Sequence, residues 1–157
     1  MDEKVLICTL GIGFVAGLRS MTAPALVSWA AYLGWLDLST GPLNFLSSPA
    51  VVMILTVWAL FELVLDKTDK LGRRTGALGL IFRIVTGSLS GAAVYSATGG
   101  ALASGAAIGL AGAMIGTFGG YYSRRALVEK SSLSDFTVAI FEDLVAIVLG
   151  LSFLRLS

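Results

Sequence analysis

Val5-Leu6-Ile7-Cys8-Thr9-Leu10-Gly11-Ile12-Gly13-Phe14-Val15-Ala16-Gly17-Leu18 is followed by Arg19-Ser20-Met21-Thr22-Ala23-Pro24, and the chain is apolar again from Ala25 to Leu36. One helix over this stretch would be about 48 Å long, against a hydrocarbon core of roughly 30 Å. The stretch must therefore bend or break. Pro24 cannot donate a helical hydrogen bond and disfavours helical geometry at Ala23, which puts the predicted break at Thr22 to Pro24. A single bent span and a re-entrant pair both satisfy the sequence.

The rest of the chain supports a membrane setting. Of 157 residues, 56% are hydrophobic and 13% charged, with 19 glycines and a mean hydropathy of +0.88. A soluble domain carries roughly 25% charged residues. The length suits one membrane domain, residues 1–157, of about five helical spans. The expected fold class is an all-α integral membrane protein whose first span is broken near Arg19–Pro24. After it come spans at 50–65, 77–97, 101–122 and 136–154, with an external loop at 37–49 and charged loops at 66–75 and 123–135.

Basic residues set the predicted orientation. Lys67, Lys70, Arg73 and Arg74 lie in one connection and Arg124, Arg125 and Lys130 in another, while 37–49 and 98–100 have none. Five crossings put both basic loops and Lys4 on the cytoplasmic side of an inner membrane and Arg155 outside. The N-terminus is thus predicted cytoplasmic. The run Met1-Asp2-Glu3-Lys4 makes a poor signal-peptide start, so it is read as retained.

Chemistry of several kinds finds no motif. With no histidine and one cysteine, Cys8, there is no internal disulfide and no soft metal site. No nucleophile-and-base arrangement appears, the glycines match no nucleotide-binding pattern, and a net charge of +1 without a basic run gives no reason to expect nucleic acid. The chain is read as a non-enzyme without cofactor or metal. Trp29, Trp35, Trp58, Tyr121 and Tyr122 suit interfacial or packing positions.

Charges inside apolar segments are the functional candidates, since each costs roughly 2.5 kcal/mol or more near the bilayer centre unless paired or watered. Two glutamates recur in similar settings, Ala59-Leu60-Phe61-Glu62 and Ala139-Ile140-Phe141-Glu142. Arg19, Ser20, Asp66, Arg83 and Asp143 complete the candidate ion- or substrate-binding set. Counted from the charged loops, Glu62, Arg83 and Glu142 fall roughly 6 to 10 Å below one boundary, so they can meet. Two readings stand. In one, Arg19 and Arg83 neutralise Glu62 and Glu142 as a structural cluster. In the other, three acids against two arginines leave one carboxylate over, as a path for a proton or small solute requires.

Gly105, Gly109, Gly112, Gly116 and Gly119 stripe one helix face, and Gly13/Gly17 and Gly87/Gly91 form shorter versions. Such faces let backbones approach closely, within one chain or in a homodimer. Gly11 precedes Arg19 by eight residues and Gly116 precedes Arg124 by eight, each arginine being followed by an Ala-aliphatic-Phe-Glu segment. That match suggests an inverted repeat, a recurrent transporter design.

The segment Gly17-Leu18-Arg19-Ser20 before Thr22-Ala23-Pro24-Ala25, Glu62 followed by Asp66-Lys67, Arg83, and Glu142-Asp143 together resemble the small bacterial membrane proteins grouped as domain-of-unknown-function family 4126. The resemblance implies a compact helical inner-membrane protein with these segments as its functional positions, and no substrate. The function expected is a small transporter or channel for an ion or small polar solute. A non-transporting scaffold and a lipid-handling protein are the alternatives.

Overall fold

The computed structural model describes residues 2–65, 77–130 and 135–157. Asp66, one of the candidate site residues, lies outside the described residues. Among the described residues the chain forms six α-helices and one 3-10 turn, rather than five spans. They are α1 (Glu3–Leu18), α2 (Thr22–Tyr32), the turn Asn44–Ser47, α3 (Pro49–Leu65), α4 (Ala77–Ala97), α5 (Leu102–Lys130) and α6 (Asp135–Leu156).

The extra helix comes from residues 5–36, which turn back on themselves. Gly11 packs against the Phe153 ring, Val15 lies near Gly150, and Arg19 reaches Asp143, so α1 runs antiparallel to α6. Leu26 of α2 then sits against Gly150 again, and Arg155 stacks over Trp35, 4.9 Å from its ring centroid. α1 and α2 therefore make a hairpin whose tip is Arg19–Met21. At 1.5 Å per residue the two helices are about 24 and 16 Å long, each short of a full crossing.

The break falls slightly earlier than Pro24 predicts. Arg19 is extended, with φ −140° and ψ 111°, and α2 already begins at Thr22. Pro24 fits in the first turn because the amides there have no intrahelical acceptor, so its missing N–H costs nothing. α2 ends at Gly34, whose φ of +76° closes the helix as only glycine does cheaply, with Trp35 donating to the Ala30 carbonyl. Gly99, at φ +82°, plays the corresponding part in the α4–α5 turn.

The loop after α2 is folded inward. Leu36, Leu38 and Leu46 are buried and the Ser28 hydroxyl donates to the Leu46 carbonyl at 2.5 Å. Its aromatic neighbours Trp29, Tyr32, Trp35 and Phe45 stay exposed, as interfacial residues do.

The predicted spans 77–97 and 136–154 appear as α4 and α6, but α5 continues through Ser123 to Lys130 where a loop is expected. Ser-Arg-Arg-Ala-Leu-Val-Glu-Lys holds no glycine or proline to stop it, and at about 44 Å the helix outruns the hydrocarbon. Helices from 77–97, 102–127 and 137–156 are long and apolar enough to cross a membrane, and 49–64 is a shorter apolar helix. Met53, Val57, Phe61, Leu78, Val85, Phe141 and Val148 project from them as exposed apolar side chains, the arrangement lipid requires.

α1 is the centre of the bundle, contacting α4, α5, α6 and α2, whereas α3 packs on α2 and the 3-10 turn. Gly13 and Gly17 face Gly109, Ala113 and Gly116 so closely that a Cβ would strike backbone atoms, and Gly87 and Gly91 meet Gly105 and Gly109 in the same way. Gly112 is covered by Leu10 and Phe14. These glycines serve packing within one chain, which leaves Gly105 to Gly116 unavailable to a second copy. Gly119 differs from its four companions, for it is exposed with nothing within 4 Å of an added Cβ.

α1 and α5, the helices the Gly/Arg spacing pairs, run parallel, since Gly13 meets Gly109 and Gly17 meets Gly116. An inverted pair would run oppositely, so the packing of α1 on α5 gives the inverted repeat no support. The start of α1 lies at the same end of the bundle as Arg155, away from the charged end where α3 and α5 finish. Lys4, expected on the side of the basic connections, lies at the opposite end of the bundle from Arg124 and Arg125 because the first stretch turns back on itself.

Candidate functional site

A helix that ends inside an apolar bundle leaves carbonyls at its C-terminus and amides at its N-terminus without partners, at several kcal/mol each in hydrocarbon. Both ends occur at the hairpin tip. Each is met by a charged side chain of complementary sign.

Arg83 of α4 donates through Nη1 to the carbonyls of Gly17 and Leu18, the latter at 3.0 Å, and is 7% exposed. Thr117 of α5 adds its hydroxyl to Gly17 O at 3.3 Å while donating to Ala113 O at 2.7 Å. The cation thus stands where the α1 dipole is negative. On the other side of the break, Glu62 of α3 accepts from the amides of Ser20 and Met21, each at 2.8 Å, and from Ser20 Oγ at 2.6 Å. Met21 supplies no side-chain cap to α2, so the cap comes from 41 residues away.

Arg19 points back into the bundle. It is 1% exposed and its Nη2 lies 2.5 Å from Asp143 Oδ1 of α6. The neighbouring Glu142 lies 3.8 Å from Arg124 of α5, close to Gly120, where an added Cβ would come within 3.3 Å of Glu142 Oε1. Arg83 is six residues into α4 and Asp143 eight into α6, so the tip sits about 9 to 12 Å inside the charged end.

The sequence candidates Arg19, Ser20, Glu62, Arg83, Glu142 and Asp143 are thus gathered at one end, where depth counting places Glu62, Arg83 and Glu142. Their pairing differs from the expected arginine–glutamate neutralisation. Glu62 has Ser20 and Met21 as its partners among the described residues, and Arg83 serves carbonyls. Groups the sequence does not place at the site are the Met21 amide, Thr117, Arg124, which it marks only for orientation and the repeat, and the carbonyls of Gly17 and Leu18. A signal for the backbone groups was present, because any break at Arg19 within an apolar stretch exposes them; the sequence does not say which distant charge reaches them.

An all-helical bundle with long apolar helices, and charges gathered at a hairpin tip within it, defines a helical membrane protein. Its sequence matches the family described as Domain of unknown function (DUF4126) over residues 6–156, and the chain belongs to that family. No curated protein and no solved structure matches it.

Proposed function

We propose that this protein moves a small ion or polar solute across the bacterial inner membrane, without enzymatic chemistry, and that the α1–α2 tip is where the solute is recognised. One observation carries this reading. The non-helical segment Arg19–Met21 lies about 9 to 12 Å inside the charged end of the bundle, its backbone ends met by Arg83 and Glu62 and its Arg19 side chain by Asp143. Irregular backbone at such depth is tolerated where protein buries it or where it lines an aqueous path, and broken helices with paired ends are the means by which transporters hold solutes. The basic connections flanking α3, α4, α5 and α6 are cytoplasmic by the positive-inside rule, which leaves both chain ends outside.

The test is flux into liposomes containing the purified protein, followed for protons, alkali cations, small anions and neutral polar solutes. The wild type should exceed protein-free vesicles for at least one of these, and Glu62→Gln should lower that flux tenfold or more. Background flux for every solute, or equal flux in wild type and E62Q, would contradict the reading. The scaffold alternative draws on the same contacts, because charges that cap helix ends also stabilise a hairpin; background flux in a well-folded protein would favour it.

A further inference from the structure

We propose that Ser20 and Met21 form a binding site for a small carboxylate, and that the Glu62 side chain is its internal occupant in this state. The donors are arranged for that shape. Ser20 N and Oγ address Oε1 at 2.8 and 2.6 Å, and Met21 N addresses Oε2 at 2.8 Å, so each oxygen of a planar carboxylate has its own amide. Successive backbone N–H groups of this kind make an anion-binding concavity. A spherical halide would use one point of it, a carboxylate both.

Three further features favour exchange of Glu62 for a free anion. Thr22, the first residue of α2, is 5% exposed and its hydroxyl has no hydrogen-bond partner, so a donor stands unused at the same helix end. The Glu62 carboxylate also sits at the positive end of α2, where an anion of any origin is favoured. Finally, Glu62 is delivered by α3, which packs on α2 and the 3-10 turn, while its neighbours Leu60, Phe61 and Val64 are exposed. The side chain can leave without disturbing the central helices.

As a substrate class this rests on the transport reading above, whereas binding can be measured by itself. The experiment is thermal unfolding of purified Glu62→Ala in detergent, titrated with sodium formate at constant sodium, using the bulky anion isethionate as balance. E62A should melt lower than wild type and recover of the order of 5 °C, saturably, with formate. Wild type should move by less than about 1 °C, and the double variant S20A/E62A, which keeps both amides but loses the hydroxyl, should recover less than E62A at the same formate concentration. Chloride should restore less than formate. Glu62→Ser, which also empties the site, gives the same comparison if E62A is recovered poorly, and recovery of E62A only when formate is present throughout purification would itself support the site.

No formate-specific shift in either variant, a shift undiminished by S20A, or a response to chloride above formate would overturn the proposal. Formate rescue without formate flux in liposomes would leave the site standing and sink the transport reading. Flux of another solute with no rescue would do the reverse.

Discussion

Gly109 and Gly119 stand on the same stripe of α5, yet adding one methyl to each should move stability in opposite directions. At Gly109 a Cβ would collide with the Gly87 carbonyl and come within 2.9 Å of Gly91 Cα, and Gly13 of α1 abuts the same residue. All these atoms are backbone, so relief requires α4 or α1 to move. Overpacking a tight interior costs about 1 to 3 kcal/mol, and the better helix propensity of alanine returns up to about 1 kcal/mol. Because the clashing atoms are backbone, the cost falls in the upper part of that range, about 2 to 3 kcal/mol, and Gly109→Ala should lose about 1 to 2 kcal/mol net. At Gly119 nothing lies within 4 Å, so only the propensity gain remains, up to about 1 kcal/mol of stabilisation. Equilibrium unfolding of both variants in mixed micelles, followed by tryptophan fluorescence, measures the difference. Shifts of the same sign, or a neutral Gly109→Ala, would refute the packing described for α1, α4 and α5.

Other perturbations probe the hairpin tip and its surroundings. Arg19→Ala removes the partner 2.5 Å from Asp143 and should cost about 3 to 5 kcal/mol in the same assay, whereas Arg19→Leu combined with Asp143→Leu should recover more than half of the loss. Arg83→Lys keeps the charge but not the planar fork that serves two carbonyls, and should destabilise by about 1 to 3 kcal/mol, with Arg83→Gln worse. In the loop after α2, the hydroxyl and then the amide of Ser39 hold Asp37 below the usual carboxylate range. That contribution is present above the ordinary value of about 3.9 and is lost as pH falls through the lower folded value. The stability gap between wild type and Asp37→Asn should accordingly narrow as pH falls below the ordinary carboxylate value and close once the lowered folded value is passed.

How much of this was legible in the sequence depends on whether a feature is local. The apolar runs specify helices, and the shared depth of Glu62, Arg83 and Glu142 gathers them correctly at one end. Arg19–Pro24 announces a break, but whether the chain then continues or turns back depends on where Leu26 and Trp35 find partners. Those partners, Gly150 and Arg155, lie over a hundred residues away. The pairing of charges misled for a similar reason. Matching arginine to glutamate treats side chains as the only charged partners, whereas a broken helix presents its own carbonyls and amides, and these claimed Arg83 and Glu62. Gly119 continues the glycine period without a neighbour to receive it, which periodicity cannot reveal.

The hairpin itself is open to a direct measurement, since turning back inside the bundle places the start of α1 and the end of α6 at one end of it. Single cysteines at Lys4, Arg125 and Ser157, in a protein whose buried Cys8 is replaced by serine, can be labelled with a membrane-impermeant maleimide in vesicles of known sidedness. Lys4→Cys and Ser157→Cys should react from the same side and Arg125→Cys from the other. Reaction of Lys4→Cys together with Arg125→Cys, opposite to Ser157→Cys, would contradict the hairpin and restore a single bent span.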